Sequence, residues 1–322
     1  MTVRKSNSKN IRLIEVPSEV GAGTRGSSLG VEAIKIAALD FRSDFFKKYK
    51  SIVIPNDNQA LYGNPGSRYA KNIRSVLKMY ERVAAAVRDT LRDGRFPLIL
   101  SGDHSSAGGT IAGLKMAYPE SRLGVIWIDA HADLHSPYTS PSGNLHGMPL
   151  ATALNEDNIE EKVNDLDYET IELWELLKSV GDIAPKVDYR DVVFVTLRDF
   201  EDQEATLIKN NKMRVITTNE LRKTGVTKLS REILKYLSAC DKIYITFDVD
   251  SLDPAVSRGT GTPVKGGINE REAADLILEL IQNERTCCLE FTEVNPTLDS
   301  ENVMAETAFE ILQKVARQVE II

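Results

Sequence analysis

The chain has only four histidines, all between positions 104 and 146, and His131, His135 and His146 fall within sixteen residues. Imidazoles gathered this way point to metal ligation or to proton transfer near neutral pH. His131 stands in Asp129-Ala130-His131-Ala132-Asp133, directly after the apolar run LGVIWI. In an extended chain residues i, i+2 and i+4 share a side, so Asp129, His131 and Asp133 are expected to converge. KIYITF runs likewise into Asp248-Val249-Asp250, and PLILS into Gly102-Asp103-His104. The candidate ligands are therefore His104, His131, Asp129, Asp133, Asp248 and Asp250. Four carboxylates in one place repel one another and raise each other's pKa unless positive charge lies among them. Six ligands exceed the needs of one tetrahedral zinc, and carboxylates can bridge, so two cations are expected. An oxygen-rich set with one imidazole per ion favours Mn²⁺, with Ni²⁺ or Co²⁺ as alternatives.

These residues need a scaffold that ends several strands side by side. Eight short apolar runs recur: IRLIEV, SIVIP, PLILS, LGVIWI, DVVFVTL, RVITT, KIYITF and CCLEFT. Most read as strands buried on both faces. Helical patterns separate them. In residues 72–94, Val83, Val87 and Leu91 repeat at helical spacing and Gly94 is placed to stop the helix; in residues 269–285, Asn269 and Glu272 form a capping pair. Alternation of strands and helices implies an α/β fold with a mostly parallel sheet covered on both sides, in which ligand sites lie beyond the carboxyl ends of the strands. The acidic connector 155–172 reads as a solvated, partly helical surface segment. No repeat or linker divides the chain, so residues 1–322 are read as one domain.

Composition excludes several classes. At 42% hydrophobic and 27% charged residues the chain can bury a large core. Its apolar runs fall far short of the roughly 20 residues that cross a bilayer, and the polar start MTVRKSNSKN lacks the apolar stretch of a secretory signal; a cytoplasmic protein is expected. A net charge of −7 disfavours nucleic acid and suits a small cationic substrate. Cys240, Cys287 and Cys288 form neither a disulfide framework nor a zinc spacing and read as small buried side chains. The Gly-rich GTGTPVKGG lacks the Lys-Ser/Thr ending of a phosphate loop. The C-terminal helix around Arg317 suits either a subunit interface or the core.

The segments SGDHS, DAHAD, SGNLHG, FDVDSLDP, GTGTPVKGG and EVNP, in that order and spacing, closely resemble the ureohydrolases, the group containing arginase, agmatinase and formimidoylglutamase. The resemblance runs from about residue 12 to the C-terminus. It implies a three-layer αβα fold around an eight-stranded sheet, homo-oligomers that are trimers or hexamers, and a binuclear Mn²⁺ centre. In that centre Asp129 and Asp248 bridge, His104 and Asp133 complete one ion, and His131 and Asp250 complete the other. The ions would activate water against a guanidinium carbon. His146 would shuttle a proton to the leaving nitrogen, Glu293 would pair with the guanidinium, Asp133 would serve catalysis as well as ligation, and Thr262 would lie near the metals.

SGNLHG looks most like arginase, with Ser140 and Ser142 suited to hold an α-carboxylate, so L-arginine giving L-ornithine and urea is the expected reaction. Two positions depart from that pattern. Arginases generally carry Asn where this chain has His135 and Asp where it has Glu201. Either residue can still meet an amino-acid end, but with changed reach, which leaves agmatine, guanidinobutyrate, guanidine or formimidoylglutamate as alternatives. A two-metal phosphoesterase would need an array of Arg or Lys that the ligands lack, and Glu293 would repel phosphate. A non-catalytic relative would be marked by a lost ligand, and none is lost.

Overall fold

The computed structural model describes residues 10–321; all but Asn10 of the polar N-terminal stretch read above for targeting lies outside them. All eight apolar runs form strands: β1 (Asn10–Val16), β2 (Ser51–Val53), β3 (Arg95–Ser101), β4 (Leu123–Ile128), β5 (Val192–Val195), β6 (Arg214–Ile216), β7 (Lys242–Asp248) and β8 (Thr286–Thr292). They make one sheet in the order β2-β1-β3-β8-β7-β4-β5-β6, parallel throughout rather than mostly so. The central runs are buried on both faces, as expected, but the edge strand β2 is not.

Among the described residues the helices are α1 (Gly30–Asp40), α2 (Phe45–Lys48), α3 (Ile73–Arg92), α4 (Ser106–Ala117), α5 (Pro149–Leu154), α6 (Tyr168–Ser179), α7 (Asp202–Asn210), α8 (Thr218–Thr224), α9 (Val226–Tyr236), α10 (Glu270–Ile281) and α11 (Val303–Ile321). Strand alternation sorts β4 side chains between two cores: Val125 and Trp127 face a cluster under α3 to α6, and Ile126 and Ile128 face one under α1, α9, α10 and α11. The result is the three-layer αβα arrangement. The C-terminal helix lies against the second cluster through Phe309, Leu312 and Val315. All three cysteines are buried, and none is joined in a disulfide. No helix among the described residues is long and apolar enough to cross a membrane.

Local signals behave as their chemistry dictates. α3 buries Val76, Val83 and Val87 and stops where Gly94 takes φ 71°. Asn269 and Glu272 cap α10 reciprocally, Glu272 N to Asn269 Oδ1 at 2.8 Å and Asn269 N to Glu272 Oε2 at 2.9 Å. The acidic connector is less solvated than expected. Asn158, Asn164 and Thr170 are buried, and Asp157 accepts from Trp174 Nε1 at 2.7 Å and Lys178 Nζ at 2.6 Å, so part of its acidity answers buried donors.

The strands whose ends carry the expected ligands, β3, β7 and β4, lie with β8, which leads into Glu293, in the middle of the sheet as β3-β8-β7-β4, and from there the chain winds outward to β1 and β2 on one side and to β5 and β6 on the other. This is the place where an open parallel sheet leaves a crevice.

The helix that follows β3 is held close to α3 by glycines. A Cβ on Gly113 would meet Ala84 O at 2.6 Å and Val87 Cβ at 2.7 Å, so backbone must move. Replacing a helical glycine with alanine gains up to ~1 kcal/mol, but overpacking costs ~1–3 kcal/mol. Gly113→Ala is therefore expected to lower the thermal midpoint, and a raised midpoint in calorimetry would show that α3 and α4 separate without cost.

Candidate metal centre

One local device recurs at three strand ends. An aspartate accepts the backbone N–H two residues on: Ser105 N to Asp103 Oδ1 at 2.9 Å, His131 N to Asp129 Oδ1 at 2.7 Å and Asp250 N to Asp248 Oδ1 at 2.8 Å. Such turns bend the chain out of the strand. β4 has already ended at Ile128, Asp250 lies in a 3-10 turn, and Asp133 takes φ 53°. Convergence thus comes from turns and not, as the spacing implied, from continued strand alternation.

In Asp129 and Asp248 this leaves the other carboxylate oxygen facing inward. His104 Nδ1 lies 2.9 Å from Asp129 Oδ2, 3.0 Å from Asp133 Oδ2 and 3.3 Å from Asp248 Oδ2. His131 Nδ1 lies 2.9 Å from Asp250 Oδ2 and 3.5 Å from Asp129 Oδ1. Two ligand groups result, His104–Asp129–Asp248 and Asp129–His131–Asp250, with Asp129 common to both. Trp127 stacks on the His104 ring at 4.3 Å and donates from Nε1 to Asp129 Oδ2 at 3.0 Å.

The residues fit divalent cations. His104 Nδ1 and Asp133 Oδ2 are buried without a hydrogen-bond partner although they face each other, and an unsatisfied buried polar atom costs ~1–3 kcal/mol. Burial raises the carboxyl pKa of Asp133, to about 6, and of Asp248 and Asp250, and neighbouring carboxylates push each further. Burial opposes charge on Asp129 too, but His104 and His131 outweigh it and hold that carboxyl low. A cluster that strains toward protonation at neutral pH is one that a cation stabilises.

Beside the ligands, His146 Nδ1 lies 3.0 Å from Glu293 Oε1, which also accepts the His104 backbone N–H at 2.9 Å. Burial works against a charged His146, yet Glu293 outweighs it and lifts the imidazole to about 9. Glu293 takes φ 66°, a left-handed conformation rare outside glycine, held by its N–H on Gly102 O at 2.9 Å. Thr262 Oγ1 donates to Asp250 Oδ2 at 3.1 Å.

These groups line one cavity of about 150 Å³ with Ser140, Ser142, Asn144, His135, Glu201 and Glu204. A wider surface groove of about 940 Å³ between α10 and α11 carries paired and scattered charges and no such convergence. Ser140 Oγ and Ser142 Oγ accept from Gly143 N at 2.9 Å and Asn144 N at 3.2 Å. His135 and Glu201 meet each other, Nε2 to Oε2 at 2.9 Å, while His135 Nδ1 bonds Thr139 Oγ1 at 3.0 Å. Glu204 joins them: it accepts from Leu134 N at 3.0 Å and Glu201 N at 3.1 Å, and burial lifts its carboxyl to about 7. With these atoms already bonded, this third cluster of possible ligands is a polar clasp between the 129–135 turn and α7. Glu204 escaped the sequence reading, although its place three residues after Glu201 marks a capping box. Asp199, 3.6 Å from His131 Nε2, escaped it too.

A family model described as the arginase family matches residues 9–317. The chain belongs to the arginase family. The curated arginase of Bacillus subtilis is 38% identical over 95% of this chain and 97% of its own length, and that of Brevibacillus brevis is 36% identical over 95% and 97%. The crystal structure of the Bacillus subtilis arginase superposes with a TM-score of 0.81 at 37% identity, over 96% of this chain and 98% of that one. The expected family and fold class are both borne out. The arginase family is metal-dependent, and the clustered His and Asp side chains of this chain form a candidate metal site.

The His146–Glu293 pair carries a pH signature in the metal-free protein. An imidazole raised from 6.5 to about 9 adds stability that is complete below the lower value and lost as pH rises through the upper one. The stability gap between the chelated native protein and His146→Asn should shrink from pH 6 to pH 9.5 in denaturant unfolding. A gap constant over that range would show that the pair is not ionic.

Proposed function

We propose that the chain is a binuclear manganese hydrolase that cleaves the guanidinium group of L-arginine to L-ornithine and urea. The observation that carries this reading is the pair of ligand groups sharing Asp129, set beside the buried His146–Glu293 pair. His104, Asp129, His131, Asp133, Asp248 and Asp250 would hold the ions, with Asp129 common to both ligand groups. When bound, such ions supply a nucleophilic water at neutral pH by lowering its pKa.

The chain's own groups handle the rest. Glu293 Oε1 is used by His104 N and His146, so its other oxygen is free to hold the planar guanidinium by charge-assisted hydrogen bonds. His146 lines the cavity, and its remaining nitrogen would protonate the departing amine; Glu293 keeps that imidazole charged near neutral pH. Thr262 orients Asp250. Asp133 supplies both ligation and a carboxylate facing the substrate.

At the far end Ser140, Ser142 and Asn144 offer short polar groups to an α-carboxylate. The His135–Glu201 pair presents a cation beside an anion, since burial opposes charge on His135 but Glu201 and Glu204 outweigh it. An amino acid carries the reverse pair, so an incoming ammonium and carboxylate can exchange partners with it. Agmatine, with no carboxylate, would leave that exchange half made.

After Mn²⁺ loading, urea release should be fastest from L-arginine among L-arginine, agmatine, guanidinobutyrate and guanidine, with ammonia from formimidoylglutamate lower still. His146→Asn should lower kcat by about 10²- to 10⁴-fold. His135→Ala should instead raise KM by about 10- to 100-fold, the value of a charged hydrogen bond of ~1.5–3 kcal/mol. Preference for another compound would overturn the substrate and leave the metal chemistry standing.

A further inference from the structure

A line of polar side chains leads from His104 away from the cavity. His104 Nε2 lies 2.8 Å from Thr246 Oγ1. Thr246 neighbours the Tyr244 hydroxyl and opposes the rise of its pKa, as a donor to the phenol oxygen would, and Tyr244 Oη donates to Glu290 Oε2 at 2.7 Å. Thr246 and Tyr244 are alternate residues of β7, and Glu290 is the β8 partner of Thr246 in register, so the three side chains leave the same face of the sheet. None of them is exposed to solvent.

Glu290 is a buried carboxylate with no Lys, Arg or His paired to it among the described residues. Four hydroxyls converge on it: Ser101 at 2.8 Å and Ser106 at 2.5 Å on Oε1, Thr110 and Tyr244 at 2.7 Å on Oε2. These donors hold a charge that nothing else neutralises. Burial and the Glu290 charge push the Tyr244 phenol well above its ordinary range, so it remains a donor.

The carboxylate also sets direction. A hydroxyl has a single proton. With the Tyr244 proton committed to Glu290, its oxygen can only accept, which directs the Thr246 proton toward it and leaves the Thr246 oxygen to accept from His104 Nε2–H. The Nδ1 lone pair is left facing Asp129, Asp133 and Asp248. We propose that Glu290, acting through Tyr244 and Thr246, is a positioning residue that fixes the His104 tautomer with Nδ1 toward the metals and thereby sets the affinity of the centre for its cations. This rests on His104 being a ligand. Bonds in such a chain polarise one another, and groups that hold a ligating imidazole from behind make it a better base.

The test is Mn²⁺ binding by chelator competition and calorimetry, with the native protein, Tyr244→Phe, Glu290→Gln and Thr110→Val side by side. Tyr244→Phe removes the link and keeps the ring; Thr110→Val removes a donor to Glu290 that is not part of the line. Tyr244→Phe and Glu290→Gln should weaken Mn²⁺ binding by about 10- to 100-fold, with KM for L-arginine unchanged once metal saturates, and Thr110→Val should bind as the native protein does. Native-like Mn²⁺ affinity in Tyr244→Phe overturns the proposal. So does equal weakening by Thr110→Val, which would make Glu290 a packing hub alone. A native protein that retains no Mn²⁺ overturns the ligand assignment beneath it, a result distinct from both.

Discussion

Asp129, Asp133, Asp248 and Asp250 are buried and gathered at one place, and the mutual repulsion of these carboxylates is the constraint to which the surrounding structure answers. At 4 Å, and with the effective dielectric of a protein, each like-charged pair costs about 4 kcal/mol. Two imidazoles cannot offset four carboxylates, so the arrangement stays costly without divalent cations. The fold limits the remaining cost in two ways. Each of the turns at Asp129 and Asp248 satisfies one carboxylate oxygen with backbone N–H, and the carboxyl ends of β3, β4, β7 and β8 meet where helices sit on both faces of the sheet.

Strain and restraint are paired around that cluster. Asp133 and Glu293 both take left-handed backbone, a conformation that costs on the order of 1–3 kcal/mol per residue. Each is tied back where it bends: Asp133 O accepts from Leu150 N at 3.2 Å and Glu293 N donates to Gly102 O at 2.9 Å. Glu204 fastens Leu134, between Asp133 and His135, to the start of α7. The metal end and the substrate end of the cavity therefore share one short segment, and movement at either is felt by the other.

Much of this was legible in the amino-acid order because hydrophobic periodicity is strong where strands are central. LGVIWI and KIYITF could hardly be anything but buried strands, and the polar residues that follow them had to lie at strand ends. The route to convergence was not legible. Period-two alternation nominated aspartates that the structure brings together, whereas the turns after Asp129 and Asp248 use Asx hydrogen bonds that many loops contain. His135 and Glu201 are 66 positions apart, and nothing local indicates that each is the other's partner. Glu290 is harder still: within CCLEFT it interrupts an apolar run, and only the tertiary placement of Ser101, Ser106, Thr110 and Tyr244 explains why a carboxylate is tolerated there.

The strand order has a consequence for how the molecule is built. His104 and Glu293 are joined across 189 positions, and the ligands between them come from strands that pair only after long crossovers. Contacts of that separation form slowly and late, because loop-closure entropy precedes any reward. A chain that has joined β1 to β3 holds a single ligand, His104, and cannot retain an ion. Cation capture therefore reports that the middle of the sheet is complete, and because the unfolded chain lacks the site, bound metal draws the folding equilibrium toward that finished state by mass action.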